Sequence, residues 1–100
     1  MRMLMKVSMP VENANKAIKD QSLPKLMNRT IEELKAEAAY FTEIDGRRTA
    51  LFVFDLADSS RIPSIAEPFF QALNAAVELH PVMNAQDMRE GLEAAAKKLG

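Results

Sequence analysis

The sequence predicts one α+β domain, in which helices cover one face of a four-stranded antiparallel sheet. Three observations lead to this class. Four segments carry strand patterns, the segments between and after them carry apolar residues at helical spacing, and one Asp-Gly pair joins two of the strands. A chain of 100 residues fits a single domain, so we expect residues 1–100 to form one unit.

The first third of the chain predicts a strand followed by two helices. Residues 1–9 alternate with period two, and Pro10 ends that strand and can open a short helix over 11–19. After a break, Ser22 is predicted to cap a helix over about 23–36, because apolar residues recur there every three or four positions.

The middle of the chain predicts a β-hairpin. Residues 38–44 resemble a strand, and residues 48–56 resemble its return strand. Asp45 and Gly46 lie between them, and both residue types tolerate the positive φ that a tight hairpin turn requires. The two strands should therefore pair directly.

The last part predicts helix, strand and helix. The Asp58-Ser-Ser sequence offers capping oxygens for a helix that contains Pro68, where we expect a kink or a broken first turn. A strand over 76–83 follows, and Pro81 places it at a sheet edge or marks its end. Asn84, with Asp three residues later, resembles the capping box of a C-terminal helix.

With the two helices of the first third counted as one connection, the order of these elements, β-α-β-β-α-β-α, is that of a ferredoxin-like sheet with an added C-terminal helix. In this topology the strand order is 4-1-3-2, so the first and third strands should occupy the centre of the sheet.

Composition excludes several classes of function. The net charge is −1 without a basic block, and no apolar run approaches the length of a membrane span, so we expect neither a nucleic acid nor a membrane as partner. The N-terminal residues lack the apolar stretch of a signal peptide, which makes the cytoplasm the expected location. The absence of cysteine and the single histidine predict no metal site and no cofactor.

The third strand is apolar on both sides, which predicts a second covering layer. Leu51 and Val53 lie on the side opposite the helices, where a solvated antiparallel sheet would carry polar residues, and Leu4 of the first strand joins them. A second copy across a two-fold axis would cover this face, with Lys6 and Glu78 at its flank. The alternative is that the C-terminal helix folds back over the same face.

The hairpin of residues 38–56, the Asp58 capping sequence and the last strand at Val77–Met83 resemble the dimeric α+β barrel superfamily, and within it short uncharacterised bacterial families. The resemblance is one of topology and pattern and includes no catalytic motif. It implies a homodimer with two sheets face to face, and often a small organic ligand between sheet and helices. Members include cofactor-free monooxygenases, lactone isomerases, haem-binding enzymes and amino-acid sensor domains, so it implies little about chemistry.

Three residues are candidates for acid–base chemistry. His80 could act as a general base or a haem ligand, or it could only form a hydrogen bond at the rim of a dimer. Tyr40 could orient a ligand, or it could be an amphipathic strand residue. Asp55 could be a buried base, or it could cap the turn that follows together with Asp58. If two of the three converge, a cofactor-independent monooxygenase or isomerase becomes possible.

A layer of large apolar side chains between helices and sheet is the other candidate site. It could bind a small apolar or aromatic molecule, or it could be ordinary core. Its members are Met27, Phe52, Phe54, Phe69 and Phe70, with Asn74 as a polar neighbour. The sequence therefore leaves three hypotheses open, namely a homodimer that binds a small organic ligand, an enzyme that uses His80, Tyr40 or Asp55, and a structural dimer without a site.

Overall fold

The computed structural model describes all 100 residues, as four strands and four helices. Their order is β1 (Arg2–Ser8), α1 (Val11–Lys19), α2 (Ser22–Leu34), β2 (Ala38–Ile44), β3 (Arg47–Asp55), α3 (Ile62–Leu73), β4 (Ala76–Pro81) and α4 (Ala85–Leu99), with a short 3-10 turn, Ser59–Arg61, before α3. The fold is of the ferredoxin-like α+β type that the order of elements predicts.

The four strands form one antiparallel sheet in the order β2-β3-β1-β4. The predicted central pair is confirmed, and β4 is an edge strand that ends at Pro81. The hairpin is also confirmed, since Asp45 and Gly46 have φ of 56° and 75°. These values are those of a turn whose twist matches that of the strands it joins.

The core lies between the sheet and helices α1, α2 and α3. Alternate residues of β1 and β3 point into it, and the side chains of Met5, Val7, Phe52 and Phe69 are almost completely buried. Thr30 is a buried polar residue of α2, and its hydroxyl donates to the carbonyl of Leu26 at 2.8 Å. No buried side-chain nitrogen or oxygen lacks a partner.

Two helix starts differ in how they are capped. The Asp58 carboxylate accepts a hydrogen bond from the Ser60 amide at 2.9 Å and so caps the 3-10 turn that leads into α3. The helix α3 itself begins after Arg61 without a side-chain cap, so the predicted capping applies to the turn and not to α3. The prediction that Ser22 caps α2 is wrong, because Ser22 is already inside the helix and its amide donates to Asp20 at 2.9 Å. Gln21 lies between Asp20 and Ser22 in the left-handed conformation. The chain therefore turns sharply enough for the Asp20 carboxylate to accept from the first amide of α2.

The helix α3 continues through Pro68, from Ile62 to Leu73. Asn74 ends it in the left-handed conformation, with φ of 53°. Asparagine tolerates this conformation better than most residues, so its role here is to stop the helix.

No helix lies over the outer face of the sheet, opposite the helical layer, although Thr49 at one end of that face is buried. The C-terminal helix α4 does not fold back over this face, because α4 buries none of its residues. The chain measures 57 × 28 × 19 Å, and its radius of gyration is 16.2 Å, whereas a compact domain of this length has about 13 Å. The helix α4 therefore projects from the domain. No helix of the chain is both long and apolar enough to cross a membrane.

Candidate functional site

The layer of large side chains between helices and sheet is packed core. The centroids of the Phe52 and Phe69 rings are 6.2 Å apart, and both side chains are at most 1% exposed. The other predicted pocket residues do not open a space, since Phe54 and Met27 are buried, Phe70 is 40% exposed and Asn74 ends α3. None of the four cavities of the molecule is lined by any of these residues.

The three acid–base candidates lie on three different strands. On the outer face Tyr40 neighbours Leu51 on the β2 side, whereas His80 neighbours Leu4 on the β4 side. The strands β2 and β4 are opposite edges, three strand spacings or about 14 Å apart. The structure therefore does not bring Tyr40 and His80 together within one chain.

Asp55 ends β3 and is exposed, so it is not a buried base. It also does not cap the following turn, because its carboxylate accepts from the amino group of Met1 at 2.6 Å and Asp58 provides the cap. This ion pair holds the pKa of Asp55 below its ordinary value.

His80 belongs to a polar cluster on the outer face. The Glu78 carboxylate lies 3.3 Å from His80 Nε2 and 3.5 Å from Lys6 Nζ. The hydrogen bond with His80 and the charge of Lys6 hold the pKa of Glu78 below its ordinary value. The predicted parity of β1 and β4 is thus confirmed, and Lys6 is paired directly with Glu78 across the two strands.

A groove between α2 and α3 is the site that sequence reasoning missed. Its wide section has a volume of about 470 Å³ and is lined by Ser22, Leu23, Lys25, Leu26, Arg29, Pro68, Gln71, Ala72 and Leu73. A narrow section of about 180 Å³ continues from it past Thr30, Glu33, Leu34, Arg61, Ser64 and Ile65, and shares Leu26, Arg29 and Pro68 with the first. We call the two sections together the α2–α3 groove.

The wide section combines an apolar floor with a basic rim. Leu23 and Leu26 of α2 are half-buried there, and they face Pro68 and Ala72 of α3. Arg29 lies at the boundary of the two sections, so its guanidinium can reach a group in either one. A volume of this size is within the usual range for small-molecule sites.

The charge of the groove is mainly positive. Lys25 and Arg29 line the wide section without any carboxylate, and neither forms an ion pair. Arg61 adds a third cation in the narrow section, where Glu33 is the one acidic residue. Unpaired guanidinium and ammonium groups over an apolar floor suit a molecule with an apolar body and a negatively charged end.

Two other cavities are less suited to a ligand. One follows the exposed polar side of α1 and is lined by no apolar residue. The other lies where β1 meets the start of α4, and there Arg2 is occupied by Glu37 at 2.7 Å and Asp87 at 3.3 Å. No group of three or more histidine, aspartate or glutamate side chains is arranged to hold a metal ion.

The fold and the groove define a small α+β domain of ferredoxin-like topology with an amphipathic groove on its helical layer. No protein-family model matches the chain, and no curated protein matches it significantly.

Proposed function

We propose that this protein binds a small organic anion in the α2–α3 groove and that it works as a homodimer. The observation that carries the ligand proposal is the wide section of the groove, where an apolar floor adjoins Lys25 and Arg29 and no carboxylate is among the lining residues. A molecule with an apolar or aromatic body would lie on Leu23, Leu26 and Pro68. Its carboxylate or sulfonate would accept hydrogen bonds from Arg29, which can engage both oxygens of such a group.

A binding measurement with 8-anilinonaphthalene-1-sulfonate tests the ligand proposal, because this probe combines aromatic rings with one sulfonate. We expect its fluorescence to rise on binding, and R29Q to weaken binding by about tenfold or more, as a lost hydrogen bond to a charged group is worth about 1.5–3 kcal/mol. The matched control is R47Q, because Arg47 is exposed beside the hairpin turn and lines no cavity.

A second variant tests the apolar floor. Ala72 is exposed and lines only the wide section, so A72F should obstruct part of that section without disturbing the core. We expect A72F to reduce probe binding as strongly as R29Q, with the thermal unfolding midpoint unchanged. Equal binding by the wild type, R29Q and A72F would contradict the proposal.

The homodimer is supported by the outer face of the sheet. Leu4, Leu51 and Val53 lie side by side on its two central strands, and no element of the chain covers them. A second copy, related by a two-fold axis, would remove these side chains from water. Light scattering at micromolar concentration should give twice the chain mass of 11.2 kDa, and a monomer would contradict this part of the proposal.

The enzyme alternative needs the same dimer. Because Tyr40 and His80 lie at opposite edges of one sheet, they could meet only across an interface between two copies. No residue pair within one chain favours this reading over a binding function.

A further inference from the structure

The C-terminal helix α4 has no packing partner in its own chain. It has 15 residues, none of them buried, and its apolar residues Met88, Leu92 and Leu99 are 46%, 60% and 89% exposed. With Ala95 and Ala96 they form one stripe along the helix, which we call the α4 stripe. A lone helix of 12–15 residues is only marginally stable in water, so a partner surface is needed to hold it.

The start of α4 is nevertheless well defined. Asn84 and Asp87 form a complete capping box, with the Asp87 amide 2.8 Å from the Asn84 side chain and the Asn84 amide 3.1 Å from Asp87. The same Asp87 carboxylate lies 3.3 Å from Arg2 of β1. The helix is thus anchored at its first turn, and the remainder extends away from the domain.

We infer that the α4 stripe packs against a second copy of this chain. The helix α4 then acts as an arm, and the two copies exchange these arms. The inference rests on the homodimer proposed above and adds the element that completes it. Under two-fold symmetry each chain would give one arm and receive one, so both exposed stripes would be covered by the same operation.

The areas involved support a second copy as the occupant. A four-stranded sheet with strands of about seven residues presents roughly 440 Å² on one face, from about 3.3 Å per residue and about 4.8 Å between strands. A stable interface buries about 800 Å² on each partner, so the sheet face alone supplies about half.

The arm accounts for the other half. One side of a 15-residue helix presents roughly 220 Å², from a length of about 22 Å and a width of about 10 Å. Each chain buries this area on its own arm and a similar area beneath its partner's arm. Sheet and arms together then reach the size of a standard interface.

Two alanine positions on α4 allow a matched test. Ala96 belongs to the α4 stripe, whereas Ala94 lies on the opposite side of the helix, since successive residues are 100° apart. Both are exposed within one chain. The variants A96E and A94E therefore introduce the same side chain and differ only in the side of the helix that carries it.

We expect sedimentation equilibrium to show that A96E and L92E raise the dimer dissociation constant at least tenfold, and that A94E leaves it within twofold of the wild type. Amide exchange should agree, with α4 protected in the concentrated wild type and losing protection on dilution. A96E and L92E chains that still dimerise like the wild type would overturn the arm and leave the sheet-face dimer intact.

A monomeric wild type would overturn both proposals. A monomer with a protected α4, in which L92E lowers the unfolding temperature, would show that the helix covers its own chain instead. A wild-type monomer that associates only with a different protein would likewise overturn the exchange of arms between copies.

Discussion

The ring centroid of Phe52 on β3 lies 6.2 Å from the ring centroid of Phe69 on α3, and the two ring planes are inclined by 39°. Both side chains are at most 1% exposed, so this pair joins the sheet to the helical layer at the centre of the core. The contact explains why the aromatic residues that the sequence suggested as a pocket form no cavity, because each ring occupies the space beside the other.

The first prediction concerns this contact. We expect F69A to lower the free energy of unfolding by about 3–5 kcal/mol, since it removes a buried ring and leaves a cavity. The adjacent F70A should cost no more than about 1 kcal/mol, because that side chain is already 40% exposed. Urea unfolding followed by circular dichroism measures both, and equal losses would mean that the core is not centred on Phe69.

The sequence predicted the sheet well because its signals are local. Alternation in β1 fixes which side chains face the helices, and the Asp45-Gly46 pair fixes the register of the hairpin. A one-residue slip would expose Met5 and bury Lys6, so few arrangements compete with the observed one.

The candidate site was harder to predict because it depends on how two helices pack. Leu23 and Pro68 are 45 positions apart, and their common lining of the groove follows only from the spacing of α2 and α3. Lys25 and Arg29 resemble an ordinary solvated helix face in the sequence. The role of Asn74 was also missed, because a single sequence does not distinguish an asparagine that ends a helix from one that lines a pocket.

The second prediction concerns the cluster of Lys6, Glu78 and His80. The pKa of Glu78 is held low first by its hydrogen bond with His80 and then by the charge of Lys6. We therefore expect H80A and K6M each to raise the pKa of Glu78, as measured by carbon NMR titration of the carboxylate, and a pKa unchanged in both variants would contradict this account.

The same cluster has a consequence for stability against pH. A carboxylate whose pKa is lower in the folded than in the unfolded state stabilises the fold at pH values above its unfolded-state pKa. This contribution is lost as the pH falls through the folded-state pKa. The acid limb of the thermal stability curve should therefore be shallower in E78Q, whereas E93Q on α4, which removes a carboxylate without an ion-pair partner, should match the wild type. Because Glu78 is exposed, 1 M salt should reduce the difference between E78Q and the wild type.

The third prediction concerns the hairpin turn. Gly46 has φ of 75°, and an added methyl group there would meet no atom within 4 Å, so the cost of a substitution is conformational and not steric crowding. We expect G46A to lower the free energy of unfolding by about 1 kcal/mol. D45N should be nearly neutral, because asparagine tolerates the left-handed region as well as aspartate does. A G46A variant as stable as the wild type would show that the turn changes its type.

The fourth prediction concerns the capping box of α4. We expect N84A to weaken the helix by about 1 kcal/mol, because the amide of Asp87 loses its acceptor. The loss should appear as reduced helicity confined to residues 85–99, visible in Cα chemical shifts. Q86A is the control, since Gln86 is in the same turn but bonds only to the side chain of Glu90. Equal shifts in N84A and Q86A would mean that the cap does not limit helix formation.

The last prediction concerns the outer face of the sheet. Val53 lies at its centre beside Leu4, and neither is fully buried within one chain. A carboxylate placed there remains solvated in a monomer but would be buried without a partner in a face-to-face dimer, at a cost of about 3–5 kcal/mol. We therefore expect V53E to raise the dimer dissociation constant by at least about a hundredfold.

T42E is the control, because Thr42 is on the same face but in the edge strand β2 and is exposed. Because Val53 is not among the buried core residues of one chain, V53E should remain folded as a monomer. A dimer that tolerates V53E would show that the two copies associate through another surface.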